Sequence, residues 1–198
     1  MGTKYSGDIV AGSLLIPESR KIATLLLNKV SKKDWLQAIN IENILQKRSP
    51  LSARRQANLI RKRLLTMTPE LWKMIIEGTS EVATQAVLAA TVKDSRLLGD
   101  FMQKTVHEKW QMFEKKLSLT DFNNYFDTCS QIDPSILKWS DSTKKKVREV
   151  IIRILSESGY LSSTRSLNLL PVNIHPDVAG YLRSHKEEYA LKSLQATQ

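Results

Sequence analysis

Apolar residues along most of this chain recur three and four positions apart, the spacing of one helix face. Pro17 stands where a first helical turn tolerates proline, and Glu18 suits the positive end of that helix. Ile22, Leu25 and Leu26 form its apolar side. Before it, Tyr5 to Ile16 is broken by Gly7 and Gly12 and reads as extended or irregular chain laid across the core. Ser31 and Asp34 make a capping-box-like start for a second helix, with Trp35, Ile39 and Leu45 inward. A third helix begins around Pro50 or Ser52. Thr68-Pro69-Glu70 opens a fourth, and Gly78 ends it by permitting the left-handed conformation. Thr79 to Val92, rich in Ala and Val with few charges, reads as a central helix buried on several sides. From Ser95 to about Lys116 a long amphipathic helix is expected, with Leu98, Met102, Val106, Trp110 and Phe113 along one side.

A second unit is expected from Leu117, dividing the chain into a helical N-terminal domain, 1–116, and a C-terminal unit, 117–198. Thr120 caps a short helix through Phe126; Asp133-Pro134 opens another ending near Trp139; Ser140 or Ser142 caps a longer one running to Ser158 and closed by Gly159. Tyr160 to Ile174 then holds Ser, Asn and alternating Leu and Val, as in a short β-hairpin. Asp177 to His185 is a last helix, with a tail that frays from Lys186. Two short helices, a longer one and a hairpin give the element order of a winged helix-turn-helix. The expected fold class is therefore all-α: a multi-helix N-terminal unit plus a winged-helix-like C-terminal unit with a small β-hairpin.

The third helix changes the picture from fold to function. Lys47 to Arg63, KRSPLSARRQANLIRKR, carries seven basic residues, and no Asp or Glu occurs between Glu42 and Glu70. At roughly 100° per residue, Arg54, Arg55, Asn58, Arg61 and Lys62 share one side, while Ala53, Ala57, Ile60 and Leu64 fall nearly opposite. Solvated helix faces usually mix signs, because opposite charges one turn apart support each other. This face has no partner within its own helix. Phosphate is the commonest acidic partner for such a set, and the Arg fork suits it. Arg48 adjoins the same run. Lys144, Lys145, Lys146 and Arg148, at the start of the expected third helix of the C-terminal unit, stand where a recognition helix carries its basic residues. The alternatives are a solvated face paired with carboxylates from elsewhere in the fold, and a Lys-rich solvated turn. The whole chain, 198 residues at net charge +10 with 41% hydrophobic residues, supports a packed core and an acidic partner. Nucleic acid is the first candidate, an anionic membrane surface the second, an acidic protein the third.

Enzyme chemistry finds little support. The three histidines, His107, His175 and His185, are scattered without metal-ligand spacing. Walker, dinucleotide-binding and nucleophile-elbow motifs are absent. The lone Cys129 excludes an intramolecular disulfide and fits a reducing compartment; it reads as incidental or buried rather than nucleophilic. No catalytic, metal or cofactor site is expected. MGTKYSGD lacks the apolar region of a secretory signal, and Met1-Gly2 with Ser6 matches a myristoylation pattern only superficially. The apolar runs are too short to span a bilayer.

Two stretches carry a more specific likeness. Ser6 to Leu27, SGDIVAGSLLIPESRKIATLLL, and Asn40 to Leu64, NIENILQKRSPLSARRQANLIRKRL, strongly resemble the BrxA family, small proteins encoded in the BREX (bacteriophage exclusion) clusters of bacteria. Gly12 with Leu14-Leu15, Glu18-Ser19, Asn43 through Arg63, and the PELW run at Pro69 to Trp72 carry the match, which is specific over roughly the first half of the chain. The resemblance implies a predominantly helical, non-enzymatic component of a phage-defence system that binds nucleic acid, working in the bacterial cytoplasm beside other BREX subunits. The family's label as inner-membrane proteins gains nothing from this sequence, and the family has no catalytic motif to carry over. The reading is a double-stranded-DNA-binding accessory protein contacting phosphates through Arg48, Arg54, Arg55, Asn58, Arg61, Lys62, Lys144, Lys145, Lys146 and Arg148. The rival is a protein–protein scaffold whose basic helix docks an acidic surface of a larger BREX component.

Overall fold

The computed structural model describes residues 4–198; Met1 and Gly2, with the myristoylation-like start, lie outside the described residues. In chain order its helices are α1 (Ile16–Leu27), α2 (Lys32–Leu36), α3 (Pro50–Leu64), α4 (Pro69–Glu77), α5 (Ser80–Asp94), α6 (Arg96–Asp100), α7 (His107–Gln111), α8 (Leu119–Ile132), α9 (Asp141–Glu157), α10 (Pro176–Ser184) and α11 (Glu188–Leu194). Helix α5 is the axis. Its alanines let neighbouring backbones approach closely, and every residue from Gln85 to Val92 is buried. Helices α1, α3, α4, α10 and α11 all pack on it. One hydrophobic cluster runs from Tyr5 to Ala196, drawing on residues from both sides of Leu117.

The N-terminal segment crosses this core as expected, with Tyr5, Ile9 and Leu14 buried. A 3-10 turn, Asp8–Ala11, interrupts it. Both ends are tied to the distant C-terminal half: Tyr5 N donates to Asp133 Oδ2 at 2.8 Å and Leu14 N to Glu157 Oε2 at 2.9 Å.

Several expectations are corrected. Gly78 ends α4 in an extended conformation, φ −69° and ψ 162°, instead of the left-handed one. The carbonyls there are satisfied by Arg20, which donates to Ile76 O at 2.7 Å and Gly78 O at 2.9 Å. Glycine is needed for space, because a Cβ would stand 2.4 Å from Met74 O. The long helix from Ser95 winds into a π-helical stretch, Phe101–Val106, and stops at Gln111. Phe113 lies beyond it at φ 60°, 82% exposed, and is no part of an inner face. Helix α8 starts at a Ser118–Asp121 capping box, not at Thr120, and runs on to Ile132.

Among the described residues no strands pair, so the expected hairpin and winged-helix unit are not borne out. Among the described residues, Tyr160 to Ile174 contributes only two isolated bridges, Leu161 with Leu169 and Asn168 with Lys116. Leu161 and Leu169 are buried in the core while Leu170 is exposed. The backbone bonds partly across the segment, Ser162 N donating to Asn168 O at 2.9 Å and Leu170 N to Tyr160 O at 3.0 Å, and partly outside it, Leu169 N donating to Lys115 O at 2.8 Å. The element between α8 and α9 is a single 3-10 turn, Pro134–Lys138. Nor does the tail fray. Helix α11 buries Ala190 and Leu194, Gln103 Nε2 donates to Ser193 Oγ at 2.8 Å, and Glu187 pairs with Lys93.

Candidate nucleic-acid interface

Ser49 caps α3, its Oγ accepting from Ser52 N at 3.2 Å, and Pro50 follows in the first turn. Ala53, Ala57, Ile60 and Leu64 are buried against the core, which turns Arg54, Arg55, Asn58, Arg61 and Lys62 outward. The seven basic residues of this stretch then divide into three kinds.

Two are structural. Lys47 Nζ lies 2.5 Å from Glu18 Oε1, and its backbone is held by Asn43 in both directions, at 2.8 and 3.0 Å. Arg63 is 2% exposed and donates to Ser13 O at 2.5 Å and Gly12 O at 3.0 Å. Burial pulls its guanidinium down to about 10, with Asp94 and Glu157 pulling the other way, so it stays charged at neutral pH. Sequence reading passed over this role, though the same helical wheel puts Arg63 roughly 180° from Arg54, beside Ile60.

Two more are partly engaged. Lys62 Nζ lies 3.2 Å from Asp94 Oδ1 and 3.6 Å from Asp8 Oδ2, so its charge is shared with carboxylates from other elements. Arg61 Cζ stands 5.0 Å from the Trp35 ring centroid.

Three remain open. Arg48, Arg54 and Arg55 are exposed, and among the described residues no carboxylate lies within 4.0 Å of their guanidinium groups. Arg55, Asn58 and Lys62 line a shallow hollow of about 320 Å³ whose other wall is the Asp8–Ala11 turn.

The second basic cluster sits on α9, which Ser140 caps by accepting from Thr143 N at 3.2 Å. Lys145 and Lys146 are exposed, Lys144 and Arg148 half-buried, and none forms an ion pair among the described residues. The Asp8–Ala11 turn packs on both α3 and α9, so the two clusters flank the same N-terminal segment. Lys146 lies about three turns from Glu157, the residue that holds Leu14, and so on the same side of α9 as that residue.

Other chemistry is sparse. Among the described residues no three His, Cys, Asp or Glu side chains converge as a metal site. Cys129 is buried, and burial raises its thiol. No helix among the described residues is long and apolar enough to cross a membrane.

The model of the BrxA family matches residues 3–186 of this chain. The chain belongs to the BrxA family. It is 43% identical over 194 residues to the BREX protein BrxA of Paramagnetospirillum magneticum (strain ATCC 700264 / AMB-1), covering 98% of each chain. It is 32% identical over 179 residues to the BREX protein BrxA of Escherichia coli O9:H4 (strain HS), covering 90% of this chain and 84% of that one. The crystal structure of an uncharacterized protein from Magnetospirillum magneticum superposes with a TM-score of 0.91 at 42% identity, over 98% of this chain and 100% of that one. The BrxA match thus extends well beyond the first half of the chain, into stretches where the motifs gave little guidance.

Proposed function

We propose that this BrxA family member is a non-enzymatic, cytoplasmic DNA-binding accessory protein of a BREX anti-phage defence system. It holds duplex DNA by the phosphate backbone. One observation carries the reading: Arg48, Arg54 and Arg55 project from a rigid, capped helix and its lead-in with no carboxylate among the described residues to neutralise them. The capped helix fixes where these side chains start, and each planar Arg fork can pair bidentately with phosphate oxygens. Asn58 beside them adds a neutral hydrogen-bonding group, and Lys144, Lys145, Lys146 and Arg148 on α9 extend the contact beyond the N-terminal turn. No aromatic residue interleaves with Arg54, Arg55 and Asn58, which favours duplex phosphates over stacked single strands.

Titration of the chain with duplex DNA at several salt concentrations tests this. If about four or five phosphates are neutralised, log K falls with log salt at a slope of about −4, whatever the base sequence. Binding that ignores salt, or none at low salt, rejects the proposal.

A further inference from the structure

Behind the basic face, where α1 ends, α2 begins and the last turn of α3 passes, the surface opens into a groove of about 480 Å³. Its floor is apolar: Leu25, Leu26, Val30, Trp35 and Leu36. Leu36 is 44% exposed, and no element among the described residues covers it. The rim is of one sign. Lys29, Lys32 and Arg61 are the charged residues lining the groove, and none forms an ion pair among the described residues.

The groove is held in shape by local structure. Lys29 takes the left-handed conformation at φ 47° to end α1, with Lys29 N donating to Leu26 O at 3.1 Å and Val30 N to Leu25 O at 3.3 Å. Ser31 restarts the chain at once by capping α2, accepting from Asp34 N at 3.2 Å. This tight reversal sets Lys29 and Lys32 on one lip. Arg61, over the Trp35 ring, forms the other.

Apolar floor and basic rim together describe the complement of an acidic amphipathic segment, the arrangement by which grooves receive a helix through its apolar face. A nucleic acid fits less well. The floor is aliphatic apart from Trp35, and Arg61 already stands over that ring. We infer that the α1–α2–α3 groove is a docking site for an acidic peptide segment of a partner protein, anchored by one or two large apolar side chains and flanked by Asp or Glu. This surface is separate from the arginines proposed to hold DNA, apart from Arg61 on their common border.

Panning a displayed library of random peptides on the full chain tests it. The enriched peptides are expected to join acidic residues to large aliphatic or aromatic ones. A synthetic copy should shift amide resonances of residues 25–36 and of Arg61. Leu36→Asp, at an exposed position, should weaken that peptide about tenfold or more, and so should Lys29→Glu with Lys32→Glu, while circular dichroism and melting stay unchanged. Duplex DNA should not displace it, and Arg54→Ala with Arg55→Ala should leave its affinity alone. Absence of enrichment, a consensus without acidic residues, shifts elsewhere, or displacement by DNA overturns the inference. Because the probe is a peptide, the result is independent of whether DNA binds at all.

Discussion

Arg63 donates to the carbonyl oxygen of Ser13 at 2.5 Å, joining the inner side of α3 to the N-terminal segment fifty residues earlier in the chain. The same guanidinium reaches Gly12 O at 3.0 Å. The helix that presents Arg54 and Arg55 outward is thus locked from behind by an arginine of its own. That segment in turn is tied to α9 through Leu14 N and Glu157, so a single strap braces both basic clusters.

Arg63→Ala should therefore cost about 2–4 kcal/mol, because the buried Ser13 carbonyl and the part-buried Gly12 carbonyl lose a charged donor. Arg54→Ala, at an exposed site, should stay within about 0.5 kcal/mol. Urea unfolding of the two variants separates them. Equal midpoints would show that Arg63 is no clamp.

Phe113 stands just past the end of α7 at φ 60°, its N–H donating to Trp110 O at 3.1 Å and Glu114 N to Lys109 O at 2.9 Å. This left-handed helix end favours glycine, and the exposed ring gains little packing in return. Phe113→Gly is expected to stabilise the fold by about 1 kcal/mol, read as a raised thermal midpoint. A lowered midpoint would mean that the ring contributes packing which its exposure conceals.

Acid should loosen the N-terminal strap. Asp133 is held below the ordinary carboxylate range, first by the backbone N–H of Tyr5 and then by Ser135. A carboxylate depressed by folding adds stability above its unfolded value of 3.8, and that stability is lost as pH falls through the lower folded value. Hydrogen-exchange protection of the first described residues, relative to the intrinsic rate at each pH, should fall below about pH 4. In Asp133→Asn, exchange should be faster already at neutral pH and respond less to acid. Identical pH profiles for parent and variant would remove Asp133 from the strap.

Much of the helical frame was legible in the sequence, and the reasons are local. Ser31, Pro50, Thr68-Pro69 and Ser140 mark helix starts by chemistry confined to one turn, and all four stand at helix starts in the structure. The inner face of α3 followed from spacing alone. Features decided by distant partners were not legible. The leucines of residues 160–174 alternate like a strand, but their backbone bonds are divided between the segment itself, the end of α9 and loop 115–117. The tail looked like a fraying end because its own residues are ordinary, whereas Lys93, Gln103 and the buried surface of α5 hold it. At the candidate site, a count of positive charges hid the division of labour: Glu18, Asp94 and the Gly12 and Ser13 carbonyls claim Lys47, Lys62 and Arg63 through partners that no wheel contains.

The open arginines carry the functional proposal, and removing them without disturbing the fold tests it most directly. Arg48, Arg54 and Arg55 replaced together by Ala leave every buried side chain of α3 in place and favour the helix at the two positions within it. The decisive measurement is duplex-DNA affinity of parent and triple variant across a salt series, with thermal melting alongside. The expected result is an unchanged melt, weaker binding, and a salt slope shallower by about one unit for each phosphate that the variant no longer neutralises. A triple variant that melts normally and binds DNA with the parent's affinity and slope would contradict the assignment of this face to DNA.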